Sequence, residues 1–250
     1  MLGLRFLSIP KKMVRPCPER GPARSLRDMG TIDVAGPDDQ EEGARRLEAA
    51  ARGDRAAWGA VLAGHRDRLR RMVALRLDRR LQGRIDPSDV IQDAYLEAAR
   101  RLPEYLREAA PMPLFLWLRF LTAQALQTLH RRHLGAQARD ADREISIGGG
   151  RIPQATSAAL AAQLLGHDTR ASEAAIRAER KLRLEEALNS MDPLDREVLA
   201  LRHFEQLSNA ECARVLALRE SAATKRYIRA LTRLKEILTS LPGGSLESWK

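Results

Sequence analysis

Near its C-terminus the chain reads Leu207-Ser-Asn-Ala-Glu-Cys-Ala-Arg-Val-Leu-Ala-Leu-Arg219 and continues Glu220-Ser-Ala-Ala-Thr-Lys-Arg-Tyr-Ile-Arg-Ala-Leu-Thr-Arg-Leu-Lys235. Ser208 is a good N-cap, and Glu211 follows three residues later, as in a capping box. A turn beginning at Ala217 then leads into a second helix. The apolar stripe of that helix comprises Ala223, Tyr227, Ala230, Leu231 and Leu234. The pattern predicts a helix-turn-helix.

The outer face of the second helix is predominantly basic, and it comprises Thr224, Lys225, Arg226, Arg229 and Arg233. A short helix, a turn and a second helix with such a face form the geometry that lays a recognition helix in the DNA major groove. A solvated basic surface is the alternative that this segment alone leaves open. Glycine is usual where Ala217 stands, because glycine adopts a left-handed conformation most easily. We expect alanine there to cost some stability.

Composition favours an all-α protein with a polyanionic partner. The 250 residues suffice for two small domains, and aromatic residues make up only 4% of them. The formal net charge is +10, with a pI near 10.4. Such an excess favours nucleic acid as the partner. The alternative is an arginine-rich proteome, in which basic surfaces carry no functional message.

The sequence offers no sign of catalysis, metal binding or membrane insertion. Its two cysteines, Cys17 and Cys212, cannot form a disulfide framework or a Cys-rich metal site, which fits a reducing cytoplasm. The five histidines are scattered, and neither a phosphate-binding loop nor a nucleophile motif is present. No apolar run approaches the length of a membrane span. We therefore expect a cytoplasmic protein that is not an enzyme and that has no cofactor.

The chain divides into two helical domains and three irregular segments. Proline, glycine and charged residues predict a disordered N-terminal extension, and a glycine tract predicts a flexible linker. The predicted segments are the extension 1–40, a helical domain 41–137, the linker 138–172 with a short helix from Ala158 to Leu165, a helix-turn-helix bundle 173–240 and a tail 241–250.

A helix with an acidic and amide face is predicted in the first domain. Asp86 is an N-cap and Pro87 occupies the first helical position, so the helix should run to about Leu102 and end before Pro103. Its outward residues include Asp89, Gln92 and Asp93. The alternative interpretation is that these residues only complement the helix dipole. It explains Asp89 more readily than Gln92 and Asp93.

Residues 103–113 are predicted to be a loop that contains Tyr105. A helix follows from Leu114 to His133, apolar on several sides in its first half and basic in its last turns. We interpret its aromatic residues, Phe115, Trp117 and Phe120, as core.

Three segments, in this order, resemble bacterial RNA polymerase sigma factors of the extracytoplasmic-function (ECF) type. The stretch from Asp86 to Ala98 resembles region 2.2, and Phe115 to His133 resembles regions 2.3 and 2.4. The stretch from Ala187 to Leu238 resembles region 4. The resemblance covers about residues 44–240. It departs from the family at Ala217, in a linker longer than the family's shortest and in the N-terminal extension.

The resemblance implies a transcription initiation factor that binds the RNA polymerase core and brings it to promoter DNA. The core-binding residues would be Asp89, Gln92 and Asp93. The minus-ten element would meet Tyr105, Arg119, His130, Arg131, Arg132 and His133. The minus-thirty-five element would meet Ser221, Thr224, Lys225, Arg226 and Arg229. An anti-sigma factor is a further partner that the resemblance allows.

The alternative function is a helix-turn-helix regulator that does not bind core polymerase. It would explain residues 173–240 but would leave the acidic and amide face of the 87–102 helix without a role.

Overall fold

The computed structural model describes residues 37–107, 112–134, 144–147, 150–165 and 174–240. Helices dominate these residues, which confirms the all-α prediction. The helices are α1 Pro37–Ala51, α2 Arg55–Arg76, α3 Pro87–Arg107, α4 Leu114–Leu134, α5 Ser157–Leu165, α6 Ala174–Asn189, α7 Pro193–Leu199, α8 Asn209–Val215 and α9 Glu220–Ser240. The tail, the glycines 148 and 149 and most of the N-terminal extension lie outside the described residues.

Two helix starts in the second half are capped by side chains, and the one at Ser208 forms as the sequence predicts. The Asp192 carboxylate accepts from the backbone N–H of Leu194 at 2.8 Å and of Asp195 at 3.2 Å, at the start of α7. At the start of α8, the N–H of Glu211 donates to Ser208 Oγ at 3.2 Å, while Glu211 Oε2 accepts from the Ser208 N–H at 2.7 Å. These reciprocal bonds satisfy donors that the first helical turn leaves unpaired.

The predicted end of the third helix is wrong, because α3 continues through Pro103 to Arg107. Proline removes one helical hydrogen bond, but Pro103 and the residue four positions earlier, Ala99, are both exposed, so water can satisfy the freed carbonyl. The extension also buries Leu102 and Tyr105 in the core. Tyr105 therefore belongs to a helix and not to a loop.

The segment between the two domains contains structure that the sequence did not predict. Strands β1 Glu144–Ile147 and β2 Gly150–Pro153 pair antiparallel, and the predicted short helix forms as α5. The N–H of Thr156 donates to the Leu75 carbonyl at 3.0 Å, and α5 packs mainly on α6. The described part of this segment is thus tied to both domains.

Two buried apolar clusters form the core. The first joins α2, α3 and α4 to residues of the second domain, including Val198, Leu201 and Leu216. The second joins α5, α6 and α9 and includes Leu75 of α2. Full burial of one large aliphatic side chain contributes about 1.5–3 kcal/mol, so contacts shared between the domains stabilise their packing.

Two left-handed residues shape the second half. Helix α7 passes into a π-helical turn, Ala200–Phe204, after which Gln206 has a φ of +58°. Ala217, in the turn between α8 and α9, has a φ of +53°. The expected left-handed residue is therefore present, and without glycine it costs about 1–2 kcal/mol.

Candidate nucleic-acid interface

The outward face of α9 is polar around one large apolar side chain. Its buried face carries Ala223, Ala230 and Ile237. The opposite face is exposed and comprises Ser221, Thr224, Lys225, Ile228 and Thr232. Helical spacing places Ile228 near the middle of that face, and 58% of its surface is exposed. Our prediction of the DNA-facing residues omitted Ile228, although its position three or four residues from Thr224 and Lys225 could have indicated it.

Arg226 and Arg229 are both bound by Asp195 of α7. Arg226 Nη1 donates to Asp195 Oδ1 at 2.8 Å, and Arg229 donates to both Asp195 carboxylate oxygens, each at 2.8 Å. Arg226 also lies 3.5 Å from Asp192. Both arginines therefore anchor α9 to α7. They could bind DNA only by replacing their bonds to Asp195 with bonds to the DNA.

The charge state of Asp195 depends on this clamp. Burial opposes ionisation of the carboxyl group, but hydrogen bonds and charge from Arg229 and Arg226 hold the pKa of Asp195 below its ordinary value. The clamp therefore operates with an ionised carboxylate at neutral pH.

The packing of α8 against α9 completes the helix-turn-helix. Asn209 Nδ2 donates to the Glu220 carbonyl at 3.1 Å, which links the starts of the two helices. Cys212 is fully buried, and burial raises the pKa of its thiol to about 12. Cys212 is accordingly a packing residue with little thiolate at neutral pH.

A second surface lies on α3. Asp89, Gln92 and Asp93 are exposed, as the sequence predicted. Leu96 follows on the same face, three residues after Asp93, and 60% of its surface is exposed. An acidic and amide face with an apolar residue at its edge suits a basic, partly apolar protein partner.

The residues predicted to meet the minus-ten element divide into two groups. Arg131, Arg132 and His133 are exposed at the end of α4. His130 is half-buried, and its Nε2 accepts from the Asp78 N–H at 3.3 Å. The end of α4 therefore presents a small basic surface.

Tyr105 and Arg119 lie inside the protein. The Tyr105 ring stacks on Trp117 with ring centroids 4.5 Å apart, and its hydroxyl donates to the Met112 carbonyl at 2.7 Å. Arg119 is 2% exposed, and its Nε donates to Glu205 Oε2 at 2.8 Å. Trp117 and Phe115 are buried, which confirms that they are core residues. Neither Tyr105 nor Arg119 can contact DNA in this arrangement.

The described residues show neither a membrane span nor a metal site. None of the helices in the described ranges is long and apolar enough to cross a membrane. A group of three or more histidine, cysteine, aspartate or glutamate side chains that could hold a metal ion is likewise not found there.

Comparison with known proteins shows what part of the second domain is similar to. Residues 181–234 match the family model described as Sigma-70, region 4. This range runs from α6 through α7 and α8 into α9, so it contains the first helix, the turn and most of the second helix of the helix-turn-helix. Residues 181–234 of the second domain are thus similar to sigma-70 region 4.

Two solved structures show weaker likeness. The structure of CnrH in complex with the cytosolic domain of CnrY is 22% identical, covers 80% of this chain and 99% of that chain, and has a TM-score of 0.48. The co-crystal structure of the sigma factor RpoE in complex with the anti-sigma factor NepR from Bartonella quintana is 18% identical. It covers 82% of this chain and 99% of that chain, with a TM-score of 0.38. A search of curated proteins gives no significant match.

Replacing Asp195 with asparagine should destabilise the second domain in a pH-dependent way. Because the pKa of the carboxyl group is lowered on folding, its contribution is complete above the ordinary value near 4 and is lost as the pH falls through the folded value. We expect Asp195→Asn to cost about 1–2 kcal/mol at pH 7 and less near pH 3.5. Urea unfolding of the full chain at both pH values measures this difference.

The matched control is Glu236→Gln, which breaks an exposed ion pair with Arg233 on the same helix. It should change the free energy of unfolding little at either pH. An Asp195→Asn cost that is the same at both pH values would contradict the clamp.

Proposed function

We propose that this protein is a sigma factor that binds core RNA polymerase and directs it to promoters. The observation that carries the proposal is the region 4 match over residues 181–234, which contains a helix-turn-helix with an exposed recognition face. The excess of positive charge over the whole chain supports a nucleic-acid partner. Promoter recognition requires no catalytic group, which agrees with our expectation of a protein that is not an enzyme.

The face of α3 is the proposed surface for core polymerase. Asp89, Gln92 and Asp93 are exposed, so they can accept or donate charge-assisted hydrogen bonds to basic side chains. Leu96 would add an apolar contact beside them. A DNA-binding role cannot explain this face, because carboxylates repel phosphates.

Promoter contacts are proposed at the end of α4 and on α9. Arg131, Arg132 and His133 suit the phosphates of the minus-ten element. Ser221, Thr224, Lys225 and Ile228 of α9 would face the minus-thirty-five element in the major groove. Arg226 and Arg229 hold α9 in place through Asp195, so we assign them a positioning role before any base contact. An anti-sigma factor stays a prediction of the resemblance.

The test is run-off transcription with purified core polymerase and the full chain on a library of promoter fragments, followed by start-site mapping. We expect accurate initiation that depends on adding this protein. Comigration with core polymerase in gel filtration is the companion measurement. If the chain binds DNA but neither comigrates nor supports initiation, the helix-turn-helix regulator becomes the better account.

Replacing both Gln92 and Asp93 with alanine should weaken core binding without changing the fold, because both side chains are exposed. Losing hydrogen bonds to charged groups costs about 1.5–3 kcal/mol, so the dissociation constant should rise roughly tenfold to a hundredfold. A core pull-down with circular dichroism measures both effects. Glu48→Ala, an exposed acidic position on α1, is the control and should bind normally. Unchanged core binding by the double variant would exclude the α3 face.

Ile228 should contact thymine methyl groups in the minus-thirty-five element, because apolar side chains contact the thymine methyl in the major groove. We expect replacing thymine by deoxyuridine there to weaken promoter binding about fourfold, from about 0.8 kcal/mol for one buried methyl group. The Ile228→Ala variant should show the same loss on thymine DNA and no further loss on deoxyuridine DNA.

The control for this pair is Lys225→Ala, whose effect should be equal on both DNAs, because a lysine contact does not depend on the methyl group. Binding of the polymerase holoenzyme is measured on the two promoters for all three proteins. If the wild-type protein binds thymine and deoxyuridine promoters equally, Ile228 has no such contact.

A further inference from the structure

Four charged side chains are buried together between the two domains: Arg76 on α2, Arg119 on α4, and Glu197 and Glu205 in the second domain. We refer to them as the Arg–Glu network. Each side chain is at most 2% exposed. Arg76 pairs with both glutamates, and Arg119 Nε contacts Glu205 Oε2 at 2.8 Å. Arg119 Nη2 also lies 4.0 Å from Glu197 Oε1.

The charges are divided by domain. Both arginines belong to the first domain and both glutamates to the second. Each domain therefore contributes network side chains of one sign only. Each buried charge has an oppositely charged partner only when the domains pack together. A network that served the fold of one domain would hold both signs within that domain.

The loop that carries Glu205 is held by further arginines of α2. Arg68 donates to the carbonyls of Glu205 at 3.2 Å and of Gln206 at 3.0 Å, and Arg71 donates to the Gln206 side chain at 2.9 Å. Gln206 has a left-handed φ of +58°. A strained backbone persists where its surroundings impose it, and here the surroundings include the other domain.

Electrostatic interactions keep the four side chains ionised while the two domains are packed together, which we call the closed arrangement. Burial opposes a charged Glu205, but Arg119 and Arg76 hold the pKa of its carboxyl group below the ordinary value. Burial also opposes a charged Arg76, yet Glu197 and Glu205 raise its pKa. A paired buried network roughly offsets its desolvation cost, whereas removing one partner leaves an unpaired buried charge. Water can take up all four charges when the domains separate, whereas the apolar side chains shared between the domains, such as Val198 and Leu201, favour the closed form.

In the closed arrangement the two domains together are too short to reach both promoter elements at once. The minus-ten and minus-thirty-five elements lie about 25 base pairs apart, or roughly 85 Å along DNA at 3.4 Å per base pair. A domain of about 100 residues has a radius of gyration of about 13 Å, so two touching domains span at most about 70 Å. Closure also buries Arg119 beneath Glu205. Binding to both elements requires the domains to separate.

We propose that the Arg–Glu network is an autoinhibitory latch that closes the second domain onto the first and must open before the protein can engage both promoter elements. The proposal rests on the proposed sigma-factor function. Polymerase and promoter bind only the open form productively, so they draw the population towards it. The apparent affinity for promoter is reduced by the fraction of molecules that are closed.

The test is Glu205→Gln in the full chain, which leaves two buried arginines opposite one glutamate. It should shift the ratio of closed to open molecules by roughly a hundredfold or more. Small-angle X-ray scattering of the free protein should show a compact wild type and a more extended variant. Run-off transcription at limiting protein should rise several-fold for the variant.

The matched control is Glu185→Gln. Glu185 on α6 pairs with Arg79 at 3.6 Å, so this ion pair also joins the two parts of the chain, but Arg79 is 63% exposed. An exposed pair contributes little, and this variant should behave as the wild type in both measurements. Should Glu205→Gln fail to fold, Arg71→Ala removes one contact to Gln206 at the edge of the same loop and should give a smaller change of the same sign.

A wild type that is already extended, or a folded Glu205→Gln protein with unchanged scattering, would overturn the latch. Increased extension without increased run-off transcription would overturn its inhibitory role. If the wild type and every variant failed to support transcription, the sigma-factor proposal would fail, and the scattering would still decide whether the network closes the protein.

Discussion

The contact between Arg76, Arg119, Glu197 and Glu205 is the constraint around which the two domains are arranged. Guanidinium and carboxylate groups cannot remain buried singly, so the position of α2 and α4 fixes that of α7 and the turn that follows it. The π-helical turn Ala200–Phe204 brings Glu205 to this position. An apolar interface would tolerate sliding of one domain over the other, whereas paired charges with directed hydrogen bonds specify one relative placement.

The same pairing of charges explains why the count of 43 lysine and arginine residues overstates the number available to DNA. Arg76 and Arg119 neutralise glutamates inside the protein, and Arg226 and Arg229 bind Asp195. Arginine suits these roles because its planar group forms several hydrogen bonds at once and stays charged when buried. The exposed basic residues that could meet a polyanion include those at the end of α4 and Lys225 on the outer face of α9.

Local sequence signals predicted most of the fold. Asp192 with Pro193, and Ser208 with Glu211, each act within one helical turn, so the helix starts could be read from a few neighbouring residues. The acidic face of α3 followed from helical spacing in the same way. The prediction that this helix ends before Pro103 is wrong, because burial of Tyr105 in the core outweighs the tendency of proline to end a helix.

Contacts between distant residues account for what the sequence could not predict. Arg119 and Glu205 are separated by 86 positions, and the sequence around either residue does not indicate that the two form an ion pair. Arg226 was expected to meet the minus-thirty-five element because its partner, Asp195, lies 31 positions away on another helix and gives no local signal. A charged residue on an amphipathic helix can therefore be assigned to solvent, DNA or another helix only when its surroundings are known. In this protein that distinction separates the arginines that hold the domains and helices together from those that remain free to bind a promoter.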